Sequence, residues 1–246
     1  KKERNMSTLK DFDPDYNPKF DSNEDAEIII NGQSIDILNP ILTFADMVAE
    51  GRTRPKYDKV VMVGAQGTGK TTILSALQTV HVFCFRQFQF ITEVVRELVK
   101  TNGINEQGDD HTQKLIFNEY LRKFKEAHQP YISDRGLIDV YSYTQYLYGQ
   151  KNVSWDCMQE IDASMNNFYF GKNKEKKTGI LHIYFPIEFG VVDDGVRSVN
   201  EDFRTRIDDL IVNNLNQYVH EDFIFEVSGS ANLRFQNIFN VIYQGL

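Results

Sequence analysis

The residues best placed by type and spacing to do chemistry are Gly64, Gly69, Lys70 and Thr71, which meet the pattern G-x-x-x-x-G-K-[ST]. The glycines let the backbone curl so that successive N–H groups converge on phosphate oxygens with no Cβ in the way. Ala65, Gln66, Gly67 and Thr68 supply the intervening amides, and Thr72 follows the pattern. A helix after the loop adds its unpaired N-terminal amides and the positive end of its dipole. Lys70 is a point charge on a long stem that can reach terminal phosphates, and the Thr71 hydroxyl suits a Mg²⁺ ion. Chance would produce the four-position match in about one chain in a hundred of this length. The required context is present as well: the apolar run Val60-Val61-Met62-Val63 leads in, and a helical pattern leads out to about Gln78. The stretch Gly64 to Thr72 is therefore expected to hold the phosphates of a nucleotide.

The sheet that must carry this loop tells where the rest of the chemistry sits. From Lys59 onward strands alternate with helices, which predicts a doubly wound parallel α/β sheet covered on both faces. Ligands of such sheets bind at the carboxyl ends of the strands. The predicted strand ends are Thr92-Glu93, Asp134-Arg135, Pro186-Ile187-Glu188 and Ser228-Gly229. Asp134 suits Mg²⁺ held through its water shell, and Arg135 suits a phosphate or hydroxyl. The competing reading of that pair is a helix cap beside a surface ion pair. Glu93 is a candidate to take the proton of an attacking hydroxyl, with Arg96 and Glu97 on the same helical face and Arg96 as a substrate contact. Its competing reading is a carboxylate stabilised by a helix dipole. Asp193-Asp194-Gly195-Val196-Arg197, with Arg204 and Arg206 after it, lies where a kinase carries a lid whose arginines neutralise the transferring phosphoryl group. Arg197 is read there as catalytic and Arg204 as a nucleotide contact, against the alternative of a charged surface loop.

Around these stations the expected elements are a strand over 59–63, strand across the Phe-rich stretch 81–90 in one or two short pieces, and a helix from about Glu93 that buries Val94, Val95, Leu98 and Val99. A helix 111–127, a strand 130–133, helices 137–148 and 155–169, a strand 180–185, a helix 202–219, a strand 223–227 and a helix 231–243 follow. Trp155 and the tyrosines of 141–148 are read as core in preference to a platform for a base. Lys172, Lys174, Lys176 and Lys177 form a basic run read as a solvated turn. Residues 1–57 are expected to form an N-terminal appendage to a domain spanning 58–246. The appendage holds a polar arm, a hairpin of Glu27–Ile30 and Ser34–Ile37 around Asn31-Gly32, and a helix 40–50 opened by Pro40 and stopped by Gly51.

Composition narrows the partners. The 246 residues, 41% apolar and 13% aromatic, suit one α/β domain with an attachment. With 27 basic against 35 acidic residues the net charge is -8, so no global basic field draws in nucleic acid, and that partner is not favoured. Cys84 and Cys157 lack metal-ligand spacing and predict no disulfide framework, and the histidines share no metal spacing. No apolar run approaches the roughly 18 residues of a membrane span and no signal-peptide pattern is present, so a cytoplasmic protein is expected.

Three segments together resemble a known family: Gly64-Ala65-Gln66-Gly67-Thr68-Gly69-Lys70-Thr71-Thr72, Thr92-Glu93-Val94-Val95-Arg96-Glu97-Leu98, and Ser133-Asp134-Arg135-Gly136-Leu137-Ile138-Asp139. It is the family of AAA-type phosphate-loop (P-loop) domains that includes nicotinamide riboside kinase-like domains and many phage-encoded nucleoside or nucleotide kinase homologues. Asp193-Asp194-Gly195-Val196-Arg197-Ser198 resembles that family's lid, and the likeness spans roughly residues 58–245. The resemblance implies Mg-ATP as donor and a small nucleoside-like acceptor, with Glu93 or Asp134 near the acceptor hydroxyl and Arg135 and Arg197 near phosphates. The expected activity is phosphorylation of a hydroxyl of a nucleoside, nucleotide or similar small molecule. Two alternatives stay open: a kinase for a polynucleotide end or a modified DNA base, and a nucleotide-gated binding protein that hydrolyses ATP or GTP slowly. The lack of a guanine-reading Asn/Thr-Lys-x-Asp element tilts the donor toward ATP; acceptor identity and oligomeric state are unassigned.

Overall fold

The computed structural model describes residues 27–52, 54–92, 94–95, 98, 108–127, 130–170, 176, 179–190 and 201–244. An antiparallel hairpin, β1 (Glu27–Ile30) and β2 (Gln33–Asp36), and helix α1 (Leu38–Ala49) come first. The α/β body then runs β3 (Lys59–Val63), α2 (Lys70–Thr79), α3 (His81–Cys84), β4 (Gln89–Ile91), α4 (Asp110–Glu126), β5 (Tyr131–Ser133) and α5 (Leu137–Gly149). It continues through α6 (Trp155–Tyr169), β6 (Leu181–Tyr184), α7 (Glu201–Tyr218), β7 (Ile224–Glu226) and α8 (Ala231–Tyr243). The five strands β3 to β7 form one parallel sheet in the order β4-β5-β3-β6-β7, as the alternation of strand and helix predicted.

Central strand β3 buries Val60, Val61, Met62 and Val63, as a strand covered on both faces must. Its side chains alternate between two cores. Val61 and Val63 face one built with Phe117, Leu137, Ile138, Ile161, Ile207 and Ile211, from α4 to α7. Val60 and Met62 face another built with Ile73, Leu77, Phe85, Phe235, Ile238 and Ile242, mainly from α2 and α8. The loop after β3 therefore emerges in mid-sheet, flanked by the ends of β5 and β6.

The hairpin packs into the second core. Ile35 is wholly buried there with Ile37 and Met47, and burying one such side chain contributes about 2 kcal/mol. Polar contacts fix its register on α8: the Asp36 amide donates to Asn232 Oδ1 at 3.0 Å and Gln236 Nε2 to the Asp36 carbonyl at 3.1 Å. At the hairpin tip Asn31 Nδ2 donates to Thr72 Oγ1 at 3.0 Å, next to the phosphate-binding pattern.

Three expectations need correction. The stretch 81–90 is not strand throughout: His81–Cys84 is a helical turn, with the Phe85 amide on the His81 carbonyl at 3.1 Å, and only Gln89–Ile91 joins the sheet. Its aromatics favour strand locally, but Phe85 and Phe88 are needed in the second core, where Phe85 meets Phe239 and Tyr243 edge-on or tilted. Trp155 is not core. It is the first residue of α6, 56% exposed, lying against Tyr148, itself at the surface. Lys176 is not a solvated turn residue: its ammonium donates to the Asn216 and Val219 carbonyls at 2.6 and 3.0 Å, closing the end of α7. The other lysines of that run lie outside the described residues.

Candidate active site

The loop is shaped by its surroundings as much as by its own sequence. Gly64 has φ +151, and a Cβ there would lie 2.6 Å from the Phe185 carbonyl oxygen, so no other residue fits. Thr68, wholly buried, donates from Oγ1 to the Ala65 carbonyl at 2.9 Å and braces the curl. Helix α2 starts at Lys70 with Gly69 as its N-cap, and no side chain caps its first amides. Helices α4, α6 and α8, by contrast, are capped by Asp109, Ser154 and Ser230. The α2 terminus is thus left to an anion. The Lys70 ammonium folds back on the loop, donating to the Gly64 and Ala65 carbonyls at 2.6 and 2.7 Å and to Thr68 Oγ1 at 3.2 Å. Thr71 is exposed in the first turn of α2.

Two buried arginines hold the loop from behind. Arg204, 0% exposed, donates to the Gln66 carbonyl from Nε at 3.0 Å and to the Gly67 carbonyl from Nη2 at 3.4 Å. Its Nη1 donates to the Phe189 carbonyl at 2.6 Å and reaches Glu201 at 3.3 Å. Arg234, 1% exposed, donates to the Thr68 carbonyl at 2.6 Å, pairs with Glu188, and lies 5.7 and 5.0 Å from the Phe185 and Phe189 rings. Three consecutive carbonyls are therefore turned toward guanidinium groups. In a trans peptide the following N–H points the opposite way, so the Gly67, Thr68 and Gly69 amides are directed to the outer side of the loop. Glu188 also accepts the Gly229 amide with both oxygens; burial opposes its charge, but Arg234 and that amide hold the carboxyl below its usual range.

Beside the loop, at the end of β5, Asp134 accepts from the Tyr120 hydroxyl at 3.2 Å, and its amide donates to the Ile91 carbonyl at 3.2 Å. Asp134 does not cap α5: the N-cap is Gly136, and the carboxylate tying down the helix start is Asp139. Arg135 lies 5.8 Å from the Tyr143 ring, which packs edge-on against Phe203. Burial opposes the charge on Arg135, but Tyr143, Tyr120, Asp139 and Asp134 together hold it firmly protonated. Asp139 is wholly buried and accepts from the Gly64 amide at 3.2 Å and the Gly136 amide at 3.0 Å. On α7, Asp208 accepts from the Tyr184 hydroxyl at 2.7 Å, while its Oδ1 is buried with no hydrogen bond. Burial raises its carboxyl, against the pull of Tyr184, the Ala65 backbone amide and Lys70.

Of the residues singled out from sequence, the structure gathers Gly64 to Thr72, Asp134, Arg135 and Arg204 around one end of the sheet. Arg204 is turned to loop carbonyls. Arg206 is exposed, and Glu93, Arg96 and Arg197 lie outside the described residues. Sequence reasoning missed Arg234, Asp139 and Asp208. Arg234 had a visible signal, a charge set directly before the apolar stripe of α8, and Asp139 sits at the third helical position where a carboxylate reaches back to a helix start. Among the described residues no cluster of His, Cys, Asp and Glu is arranged for a metal. Both cysteines are buried and unpaired, their thiols pushed up by burial to about 12 for Cys84 and about 11 for Cys157, so neither is a nucleophile.

Fold and loop define a phosphate-loop α/β domain of the nucleoside kinase-like type. Residues 59–234 match the profile of the AAA domain family, and the chain belongs to that family. No curated protein matches the chain in sequence. Among solved structures, the NadR protein in complex with NAD and AMP-PNP is similar with a TM-score of 0.53 at 15% identity, over 85% of this chain and 58% of that one. Deoxyadenosine kinase from M. mycoides with bound dATP gives 0.52 at 16% identity, over 74% of this chain and 97% of that one. The chain thus spans a little over half the length of the NadR chain. At such identities the likeness is one of fold.

Proposed function

We propose that this protein is a Mg-ATP-dependent kinase that phosphorylates a hydroxyl of a nucleoside, nucleotide or similar small molecule, with residues 58–246 as the catalytic domain and 1–57 as its attachment. One observation carries the reading. A loop whose amides are turned outward by two buried arginines lies beside Asp134 and Arg135, and Asp139 accepts the amide of Gly64 in the loop and that of Gly136 next to Arg135. A phosphoryl donor and its acceptor need that adjacency.

In this reading the loop amides and Lys70 bind the terminal phosphates, Lys70 leaving the Gly64 and Ala65 carbonyls to do so. Arg135 orients the acceptor or the phosphoryl group, with Arg96 as a further acceptor contact. Asp134 or Glu93 takes the proton of the attacking hydroxyl. Arg197 neutralises charge on the transferring group, and Arg204 acts through the loop it pins. The Thr71 hydroxyl and the Asp134 carboxylate are hard oxygen donors suited to Mg²⁺, which when bound would offset phosphate charge. The solved relatives support the ligand class: NadR is seen with AMP-PNP and the deoxyadenosine kinase with dATP.

A small acceptor is favoured over a polynucleotide by the net charge of -8 and by Lys176, whose charge closes a helix instead of facing an open stripe. No helix among the described residues is long and apolar enough to cross a membrane. The test is a panel of nucleosides, nucleotides and oligonucleotides incubated with ATP carrying a labelled γ-phosphate. Label should reach at least one free nucleoside or nucleotide, with little dependence on salt. Labelling of oligonucleotides alone would move the assignment to a polynucleotide kinase, and hydrolysis without transfer would move it to a nucleotide-gated binding protein.

A further inference from the structure

The Asp139 carboxylate is buried and bonds to both halves of the site. Its Oδ1 accepts the amide of Gly64, the first residue of the phosphate-binding pattern, at 3.2 Å. Its Oδ2 accepts the amide of Gly136, which directly follows Asp134 and Arg135, at 3.0 Å. Both glycines are closely packed at their Cα atoms. Gly64 is pressed against the Phe185 backbone, and a Cβ on Gly136 would lie 2.5 Å from Val61 Cγ1. Burial works against the charge of Asp139, and the cations offsetting it are Lys70 from the loop and Arg135 from the turn. Lys70 now bonds to the carbonyl of Gly64, whose own amide is on Asp139. A phosphate that draws Lys70 outward therefore changes both a hydrogen-bonded neighbour of Asp139 and one of its compensating charges.

We propose that Asp139 is a positioning residue that couples the phosphate-binding loop to the Asp134–Gly136 turn, so that filling the loop with a triphosphate resets the acceptor-side arginine. The proposal rests on the triphosphate reading of the loop. It separates Asp139 from a helix cap, which would stabilise α5 without carrying a signal across the sheet. Asp139→Asn sharpens the distinction. An amide keeps one accepting oxygen and turns an N–H₂ group toward the second backbone N–H, which breaks one side of the bridge. Asp139→Glu keeps both acceptors and the charge.

The experiment follows amide signals of the ¹⁵N-labelled full chain by NMR as Mg-AMP-PNP is added. In wild type the signals of Arg135 and Gly136 should shift together with those of the loop. In Asp139→Asn the loop signals should still shift, those of Arg135 and Gly136 should stay, and kcat should fall about 10²-fold with little change in the KM for ATP. Asp139→Glu should restore part of the response. If Arg135 and Gly136 stay still in wild type while the loop responds, the coupling is wrong and the kinase reading survives. The coupling is equally overturned, and the kinase reading equally spared, if the two signals move as far in Asp139→Asn as in wild type. If the wild-type loop itself does not respond, the triphosphate reading falls, and the coupling falls with it. The wild-type measurement stands even if neither variant folds.

Discussion

Arg234 donates from Nη1 to the carbonyl oxygen of Thr68 at 2.6 Å, across 166 positions of sequence. The side chain is 1% exposed and also pairs with Glu188, so two strand ends and the loop share one buried cation. Arg234→Met would leave the Thr68 carbonyl and the Glu188 carboxylate short of a donor. Because Glu188 is 28% exposed, the main cost is the unsatisfied Thr68 carbonyl, about 1–2 kcal/mol. Urea unfolding should register that loss, and triphosphate affinity should weaken because the Thr68–Gly69 peptide is no longer held. An unchanged midpoint together with unchanged affinity would mean that the arginine does not pin the loop.

Lys70→Ala should lower phosphoryl transfer by about 10²-fold or more. It should also weaken triphosphate binding, because Lys70 is the cation carried by the loop itself. Steady-state rates with the best acceptor, beside a direct binding isotherm for ATP, provide the check. Transfer within a few-fold of wild type would show that the loop does not serve the chemistry.

Asp134→Asn and Arg135→Lys should cut kcat while moving the melting temperature little, the lysine keeping the charge that offsets buried Asp139. Asp134 is partly exposed at the end of β5, and Arg135 rests on the partly buried Tyr143 ring, so neither is an indispensable part of a core. A large drop in melting temperature with full turnover per folded molecule would return both residues to a structural role.

Acid should expose a buried histidine. His182 is wholly buried, its Nδ1 3.0 Å from the Ile180 carbonyl and its Nε2 3.1 Å from the Tyr169 hydroxyl, which a neutral ring satisfies by donating to the first and accepting from the second. Burial lowers its pKa from 6.5 to about 4. The unfolded chain therefore takes up this proton first as pH falls. The stability it confers is complete above about pH 6.5 and is lost progressively toward pH 4, on the order of 3 kcal/mol in all. Unfolding free energies at pH 7 and pH 4.5 should fall further for wild type than for His182→Gln. Equal losses in the two proteins would show that another group sets the acid sensitivity.

What was legible in the sequence was what local pattern encodes. The apolar runs at Val60–Val63 and Leu181–Tyr184 announced buried strands, and Gly64, Gly69, Lys70 and Thr71 announced the loop, because a phosphate cradle needs those residue types within a few positions. The stretch 81–90 misled for a physical reason: Phe and Val carry strand propensity, but the space under α8 decides where Phe85 and Phe88 go. Arg234 and Asp139 were out of reach as loop partners because their bonds span 166 and 75 positions, and nothing in the neighbouring residues names the far end of such a bond. Sequence placed Arg204 near the nucleotide, and only the fold reveals that it faces backbone oxygens.

The hairpin has a consequence for how this domain can travel. The family match begins at residue 59 and ends at 234, yet Ile35, Ile37 and Met47 before it, and Phe235 to Tyr243 after it, fill the same core as Ile73 and Leu77 of α2. The stretch that matches the family is thus shorter than the stretch that fills this core. Recombination at the borders of the match would transplant a nucleotide loop whose helix has lost its floor, with the Thr72 hydroxyl also deprived of Asn31. An exchange that keeps this core filled must carry the hairpin and the helix after it along with the loop.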